Sequence, residues 1–281
     1  ADVIVSDLRG VLPWHSQHLH SIIDARLRLL ASAGTLIPAR DTLWAAAVEV
    51  FERYDQLVKP WSSNGLTLNA GRRLAVNLWT KIRVTPENLL SQPACWHELD
   101  YSRVNDANVC KDISITVTRG GTVHGLAIWF DTELFAETGF SNAPGGEKLI
   151  YGNAFFPLKE PVEVAAGHRI DVRLEARLIG DDYVWRWDTT VSWQGETQTS
   201  FKQSTLFGTP FSPAQLRKRA NTYIPTLNDD GAIARFVLSN IDGSYSIEQI
   251  AHEVVKQFPQ RFANADQAMD LVAQISEKYS E

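Results

Sequence analysis

The spacing of apolar residues changes along this chain, and each change marks a different kind of element. Ala1 to Val5 is a short apolar, β-branched run, the pattern of a strand buried in a parallel sheet. From His18 to Leu30 the period lengthens, and Leu19, Ile22, Ile23, Leu27 and Leu30 fall on one face of a helix. Gly34 is placed to terminate that helix, and Thr35-Leu36-Ile37 starts another strand. Strand, loop, helix, strand is the order of the last elements of a doubly wound α/β domain. Such domains bind ligands at the carboxyl ends of their strands, which puts the loop Ser6 to Gly10 at a candidate site.

The middle of the chain is β-rich. Ile113 to Thr118 alternates apolar and polar residues, and Val123 to Phe130 is apolar throughout. Ala154 to Leu158 is apolar and aromatic, and Ile170 to Leu178 alternates strictly, as an antiparallel strand with one wet face does. Tyr183 to Trp187 and Thr189 to Trp193 read as a final pair of strands. Turn signals at Arg119-Gly120-Gly121, Ala143-Pro144-Gly145-Gly146 and Ala166-Gly167 separate these runs. Many strands at regular spacing predict a barrel or sandwich, with the nine tryptophans packing its core. Asp131 is expected to close a turn, and His124, on the apolar strand, to be a hydrogen-bonded core residue.

The last seventy residues read as a separate helical module. Phe211-Ser212-Pro213 marks its boundary, followed by a charged helix from Gln215 to Ala220. Gly231 to Leu238 leads into Ile241-Asp242-Gly243, where Gly243 is expected to end a helix. Ser246 is an N-cap for a helix with Ile247, Ile250, Val254 and Phe258 on one face. A final helix spans about Ala265 to Tyr279.

Composition narrows the class without changing the picture. The length of 281 residues leaves room for two domains, and 44% apolar with 21% charged residues is ordinary for a globular protein. A net charge of −6 argues against a nucleic-acid partner. The basic triplet Arg217-Lys218-Arg219 reads as a solvated helix face. No apolar run is long enough for a membrane helix, so no membrane contact is expected. Two cysteines, Cys95 and Cys110, give no disulfide framework and point to a reducing, cytoplasmic compartment.

Residues 122–131, Thr122-Val123-His124-Gly125-Leu126-Ala127-Ile128-Trp129-Phe130-Asp131, carry a resemblance, together with three later segments. These are Phe140-Ser141-Asn142-Ala143-Pro144, Gly152-Asn153-Ala154-Phe155-Phe156-Pro157-Leu158 and Glu160-Pro161. The run resembles the C-terminal β-barrel of the protein arginine methyltransferases. In that family a hydrophobic-Trp-Phe-Asp strand leads to a Ser-Thr-Ala-Pro turn, then to an aromatic strand and a Glu-Pro bend. Val3-Ile4-Val5-Ser6-Asp7-Leu8-Arg9-Gly10 resembles the end of the family's fourth strand and its acidic Ser-Glu-x-x-Gly loop. The likeness continues without a gap through Asp24-Ala25-Arg26, Gly34 and Ile37-Pro38. Asp41 to Glu49 then resembles the first barrel strand.

The resemblance implies an S-adenosylmethionine-dependent methyltransferase. It also implies two loop glutamates that hold a substrate guanidinium by paired hydrogen bonds. Here Asp7 stands at the first of these positions and Ser16, uncharged, at the second. The family's Thr-His-Trp barrel loop is replaced by Leu149-Ile150-Tyr151. These departures point to an acceptor other than a standard protein arginine. A helical arm that docks on a second subunit is implied near residues 61–83, where the residues alone read equally as a barrel insertion with a turn at Asn64-Gly65. The C-terminal module resembles the small PqqD-like domains that bind leader peptides, a shape that generic winged-helix modules share.

His15 is open to two readings: an exposed polar residue at a helix start, or a general base beside the substrate. His15, His18 and His20 lack the i, i+4 spacing of a helical zinc site, so no metal is expected. The chain has no glycine-rich strand–turn–helix for the methyl donor, so it reads as a C-terminal fragment that is inactive alone.

The expected fold class is therefore α+β. Residues 1–38 are the tail of an α/β methyltransferase domain, 39–210 an antiparallel β-barrel, and 211–281 a PqqD-like helical domain. The expected site comprises Asp7 and His15 as catalytic groups, with Ser6, Ser16, Tyr151 and Asn153 beside Asp7 at the acceptor. A peptide or protein substrate and a homodimer are the expected partners. The rival expectation is a non-catalytic protein that recruits a peptide through its barrel and C-terminal domain.

Overall fold

The structure is a computed structural model that describes residues 1–62, 65–209, 217–218 and 220–280. It divides into two compact units, Ala1–Pro210 and Phe211–Glu281. The expected boundary at Phe211-Ser212-Pro213, half of the helix expected from Gln215 to Ala220 (Gln215, Leu216 and Arg219 of the basic triplet), and Asn64 lie outside the described residues.

The first unit opens as expected with β1 (Val3–Val5), α1 (His18–Arg28) and β2 (Thr35–Ile37). β1 and β2 pair in parallel, Ile4 opposite Leu36. β1 is less buried than its composition suggests. It pairs with β2 alone, and Val3 and Val5 are 52% and 71% exposed. Gly34 does not terminate α1, which ends at Arg28 with Leu29 still in the right-handed helical region.

Two antiparallel sheets follow. One runs β4 (Thr80–Ile82), β9 (Asn153–Val164), β7 (Gly121–Phe135), β3 (Arg40–Val48) and β5 (Ala94–Asp100), with β8 (Thr138–Ser141) pairing on β7. The other runs β12 (Glu196–Ser204), β11 (Asp182–Trp193), β10 (Arg169–Ile179) and β6 (Val109–Thr116). The strict alternation of β10 is explained by its register. Leu174 faces Trp187 and Ala176 faces Trp185 inside the core, while outward-facing Arg173 pairs with Asp112 at 2.8 Å.

The continuous apolar run of β7 has a different cause, since that strand has a core on each face. Leu126, Ile128 and Phe130 join the main core with Trp185 and Trp187. Ala127 and Trp129 join a second core with Tyr54 and Val76. Those last two residues belong to the segment containing α2 (Phe51–Val58) and α3 (Asn69–Ala75). The Tyr54 hydroxyl ties α2 to β9 by donating to the carbonyls of Leu158 and Lys159, each at 3.0 Å. His124 is buried, and its Nδ1 accepts from the Val50 amide at 3.2 Å, so it is a hydrogen-bonded core residue.

Three local expectations are corrected. Asp131 closes no turn. β7 runs on to Phe135 because β8 folds back against it, and Asp131 accepts the Trp44 indole N–H at 2.7 Å. Residues 80–82, the end of the expected arm, are barrel strand β4, with Thr80 opposite Phe155. Tyr183 to Trp193 is one strand, not two, and its hairpin partner is β12. The turn between them holds Gln194 at φ 50° and Gly195 at φ 86°, the left-handed pair that a two-residue hairpin needs.

The second unit, among its described residues, contains α5 (Asp229–Ser239), α6 (Ile247–Gln257) and α7 (Ala265–Tyr279). Asn228, Ser246 and Asn264 cap them by accepting backbone N–H bonds, and Ser246 forms a capping box with Gln249. Ile233, Val237, Ile250, Val254, Val272 and Ile275 lie in a small core of their own. Ile247, at the first position of α6, is 40% exposed and stays outside it. Gly243 sits at φ 85° in the α5–α6 corner, four residues beyond the end of α5.

Candidate functional site

The loop after β1 carries opposite charges close together, and the barrel is built to receive them. Arg9 is buried, and its Nη1 donates to Asp41 Oδ1 at 2.7 Å and to Thr132 Oγ1 at 2.9 Å. Asp41, second in β3 after Arg40, is a carboxylate ahead of the strand's apolar run from Leu43, and it is fully buried. Its Oδ2 takes the Tyr101 hydroxyl hydrogen at 2.6 Å, and Thr132 donates to the same Oδ1 as Arg9, at 2.7 Å. A buried charge needs such a complete set of partners.

Three rings enclose the guanidinium. Its carbon lies 5.2 Å from the ring centre of Phe130, 5.4 Å from Phe140 and 5.9 Å from Tyr151. Phe140 and Tyr151 stack at 5.7 Å with 13° between their planes, and Phe130 presents its edge to Tyr151 at 5.4 Å. Cation–π attraction in a desolvated cage adds to the ion pair. Burial pulls the Arg9 proton affinity down, but Asp41 and then Tyr101 more than offset it, so its pKa is raised and the charge is permanent.

Asp7 stands at the outer edge of this network, with a side chain 59% exposed. Its Oδ2 accepts the Tyr151 hydroxyl hydrogen at 2.6 Å, and its Oδ1 faces Arg9 Nε at 3.3 Å. Burial and then the bond to Asp7 raise the Tyr151 pKa, so the phenol stays protonated. On the inner side, His18 Nε2 reaches the Tyr101 hydroxyl at 3.4 Å. Tyr101 already donates to Asp41, so His18 is the donor and its Nδ1 is left unpartnered. Burial, then the Arg9 charge, lowers the His18 pKa to about 4.

The structure thus brings Asp7 and Tyr151 together and leaves the other sequence candidates apart from them. Ser6 donates its amide to Ile37 and makes no side-chain bond among the described residues. Ser16 is exposed at φ 44°, without a hydrogen-bond partner for its hydroxyl among the described residues. His15 is exposed, with its ring packed over Gly10, where an added Cβ would come within 2.8 Å. Asn153 is buried and occupied structurally, accepting from the Val84 amide at 2.9 Å and donating to the Asn142 carbonyl at 2.7 Å. Sequence reasoning missed Arg9, Asp41, Tyr101, Thr132 and the Phe130–Phe140 cage. The available signals were a cation inside an acidic-loop motif and a carboxylate ahead of an apolar run.

No helix among the described residues is long and apolar enough to cross a membrane. None of their His, Cys, Asp and Glu residues cluster in a way that could hold a metal ion. Cys95 and Cys110 are free and exposed.

Two antiparallel sheets share an aromatic core and follow a strand–helix–strand segment. Residues 39–194, more than half of the chain, match the arginine methyltransferase oligomerization subdomain, and the chain belongs to that family. It is 25% identical over 175 residues to protein arginine N-methyltransferase 8-B of Danio rerio, covering 60% of this chain and 42% of the relative. It is 26% identical over 182 residues to arginine N(omega)-methyltransferase of Streptomyces achromogenes subsp. streptozoticus, covering 62% and 48%. The chain therefore spans about half the length of the curated relatives it matches. Part of its fold is similar to that of a chain in the Trypanosoma brucei PRMT1 enzyme–prozyme heterotetrameric complex with AdoHcy. That match has a TM-score of 0.63 and 18% identity, and covers 72% of this chain and 68% of the other. Arabidopsis thaliana protein arginine methyltransferase 10 matches at the same TM-score of 0.63, with 17% identity and 73% and 70% coverage.

Proposed function

We propose that this chain is the barrel-bearing part of an S-adenosylmethionine-dependent methyltransferase of the arginine methyltransferase type, whose acceptor is not a standard protein arginine. The observation that carries the reading is the state of Asp7. Both its oxygens are engaged by the chain's own donors, Tyr151 and Arg9, at 2.6 and 3.3 Å. A substrate guanidinium would need that carboxylate for a bidentate bond, and it would meet a fixed positive charge in the adjoining cage. A neutral nucleophile meets neither obstacle. Asp7, exposed at the outer edge of the network, is the first candidate base for the proton such an acceptor loses, and His15, whose ring packs over Gly10, is the second. Methyl transfer itself needs an aligned donor and nucleophile more than a charged clamp.

The residues of this chain do not by themselves fit the donor. β1 runs into Ser6-Asp7-Leu8-Arg9-Gly10 and not into a glycine-rich turn, and the loop's charged groups are spent on each other and on the barrel. The chain's own contribution is the acceptor side. Phe51, Leu66 and Leu68, 64%, 63% and 51% exposed, are apolar side chains of the segment around α2 and α3 that docking on a second copy would cover. The 211–281 module would hold a peptide in the manner of PqqD-like domains, in a cytoplasmic protein.

The same engagement of Asp7 also favours the rival reading, a recruiting protein without catalysis. The two separate in one assay. The longest product of the gene is incubated with methyl-labelled S-adenosylmethionine and a panel of acceptors. Label on an alcohol, amine or carboxylate acceptor but not on arginine peptides is the expected result. Label on arginine peptides would refute the acceptor reading, and no label on anything, with S-adenosylmethionine bound, would leave the recruiting protein.

A further inference from the structure

A second group of charged side chains lies far along the chain from Arg9 and has no role in the reading above. α3, β9, β12 and α4 (Thr205–Gly208) bound a cavity of about 520 Å³, of the size that holds small ligands. Arg72, Arg73, Lys159 and Lys202 line it, with Glu160 as the one carboxylate. Val76 and Phe201 form an apolar floor, 2% and 8% exposed, and Phe207 stands at the rim half exposed.

Ordinary solvated cations would be the plain explanation. What sets this place apart is the clustering. Arg28, Arg40, Arg169, Arg173 and Arg186 are each paired with a carboxylate, and the exposed cations elsewhere in this unit that form no ion pair, Arg83, Lys81, Lys111 and Lys148, do not line a cavity with three others. None of the four cavity cations forms an ion pair among the described residues, although acidic residues outnumber basic ones in the chain, 33 to 27. The polar floor groups are committed elsewhere. Gln203 donates to the Pro157 carbonyl at 3.0 Å, and Asn77 accepts from the Ser204 amide at 3.0 Å. What remains free to recognise a ligand is positive charge above an aromatic and aliphatic floor.

We propose that this cavity binds a phosphate-bearing small molecule of the nucleotide class, with its phosphates among Arg73, Lys159 and Lys202 and its planar base against Phe207. Two phosphoryl groups, each carrying about −1 to −2 at neutral pH, balance four cations and one carboxylate. A low-dielectric floor strengthens that attraction, and an exposed phenyl ring offers a stacking surface. The apolar residues assigned above to docking, Phe51, Leu66 and Leu68, do not line the cavity, so the site can operate whether or not that reading holds.

ADP and inorganic pyrophosphate, titrated calorimetrically into the chain at about 0.15 M salt, test the proposal. The expected result is saturable ADP binding near 100 µM or tighter, on the order of 5 kcal/mol. The double substitution Lys159→Glu/Lys202→Glu, at two exposed positions, should weaken it at least about tenfold with unchanged circular dichroism, reversing the local field. Phe207→Ser should weaken ADP but not pyrophosphate. Absence of heat with both ligands, or binding unaltered by the double substitution, would overturn the site. Equal affinity of the native chain for ADP and pyrophosphate would overturn the nucleotide assignment. Hexaglutamate binding more tightly than ADP would show an acidic-peptide groove instead.

Discussion

Arg9 and Asp41 lie 2.7 Å apart with side chains 2% and 0% exposed, an ion pair shut off from water that joins the loop after β1 to the first barrel strand. Such a pair is held in place more by the cost of breaking it than by the gain of making it. Asp41→Asn should therefore cost about 3–5 kcal/mol, since Arg9 stays buried and charged without its counter-ion. Adding Arg9→Met to that variant should restore part of the loss, because a flexible apolar side chain suits a cage of three rings. Urea denaturation of the two single variants and the double variant gives the cycle. Additive losses would show that the two residues act independently.

His18 makes stability depend on pH in a defined window. Its pKa is lowered by burial and by Arg9 from 6.5 to about 4 in the fold. Between those values the unfolded chain takes up a proton that the folded chain refuses. The stability His18 contributes is thus complete above pH 6.5, falls as pH drops towards 4, and falls no further below. The change is roughly 3 kcal/mol at most. Melting temperatures measured at steps from pH 7.5 to 4 should fall more steeply for the native chain than for His18→Gln. Parallel profiles would show that His18 is not the group responsible.

Ile250 is 3% exposed in the core of the C-terminal unit. An aspartate there buries an unpaired charge, at a cost on the order of 3–5 kcal/mol, comparable to the whole stability of so small a unit. Limited proteolysis of Ile250→Asp should degrade residues 211–281 and leave a resistant fragment ending near Pro210. Simultaneous loss of the barrel would mean that the two units fold as one.

Much of the architecture was legible in the sequence because it rests on local periodicity. β10 alternates since one face is wet, and the run from Val123 to Phe130 is apolar since β7 is covered on both faces. α7 begins at Ala265 and ends at Tyr279, the bounds expected of it, and Asn264 caps it. β12 was missed because Glu196 to Ser204 is almost wholly polar on its outer side, and only Gly195 hinted at a hairpin.

The candidate site was legible in part for a related reason. Asp7 and Tyr151 were singled out because each stands in a motif, and the structure brings the two into contact. Arg9 and Asp41 each left a local signal, but their pairing is a contact 32 positions long that no local pattern encodes. Asn153 was read as a ligand-facing residue, yet its place at the start of β9 turns its amide towards backbone groups of Val84 and Asn142.

The most direct measurement is calorimetric titration of an arginine-containing peptide into the longest product of the gene, with AdoHcy present. The account predicts no saturable binding into the millimolar range, because Asp7 is already engaged by Tyr151 and Arg9 and the cage already holds a guanidinium. Micromolar binding that disappears in the Asp7→Asn variant would contradict it.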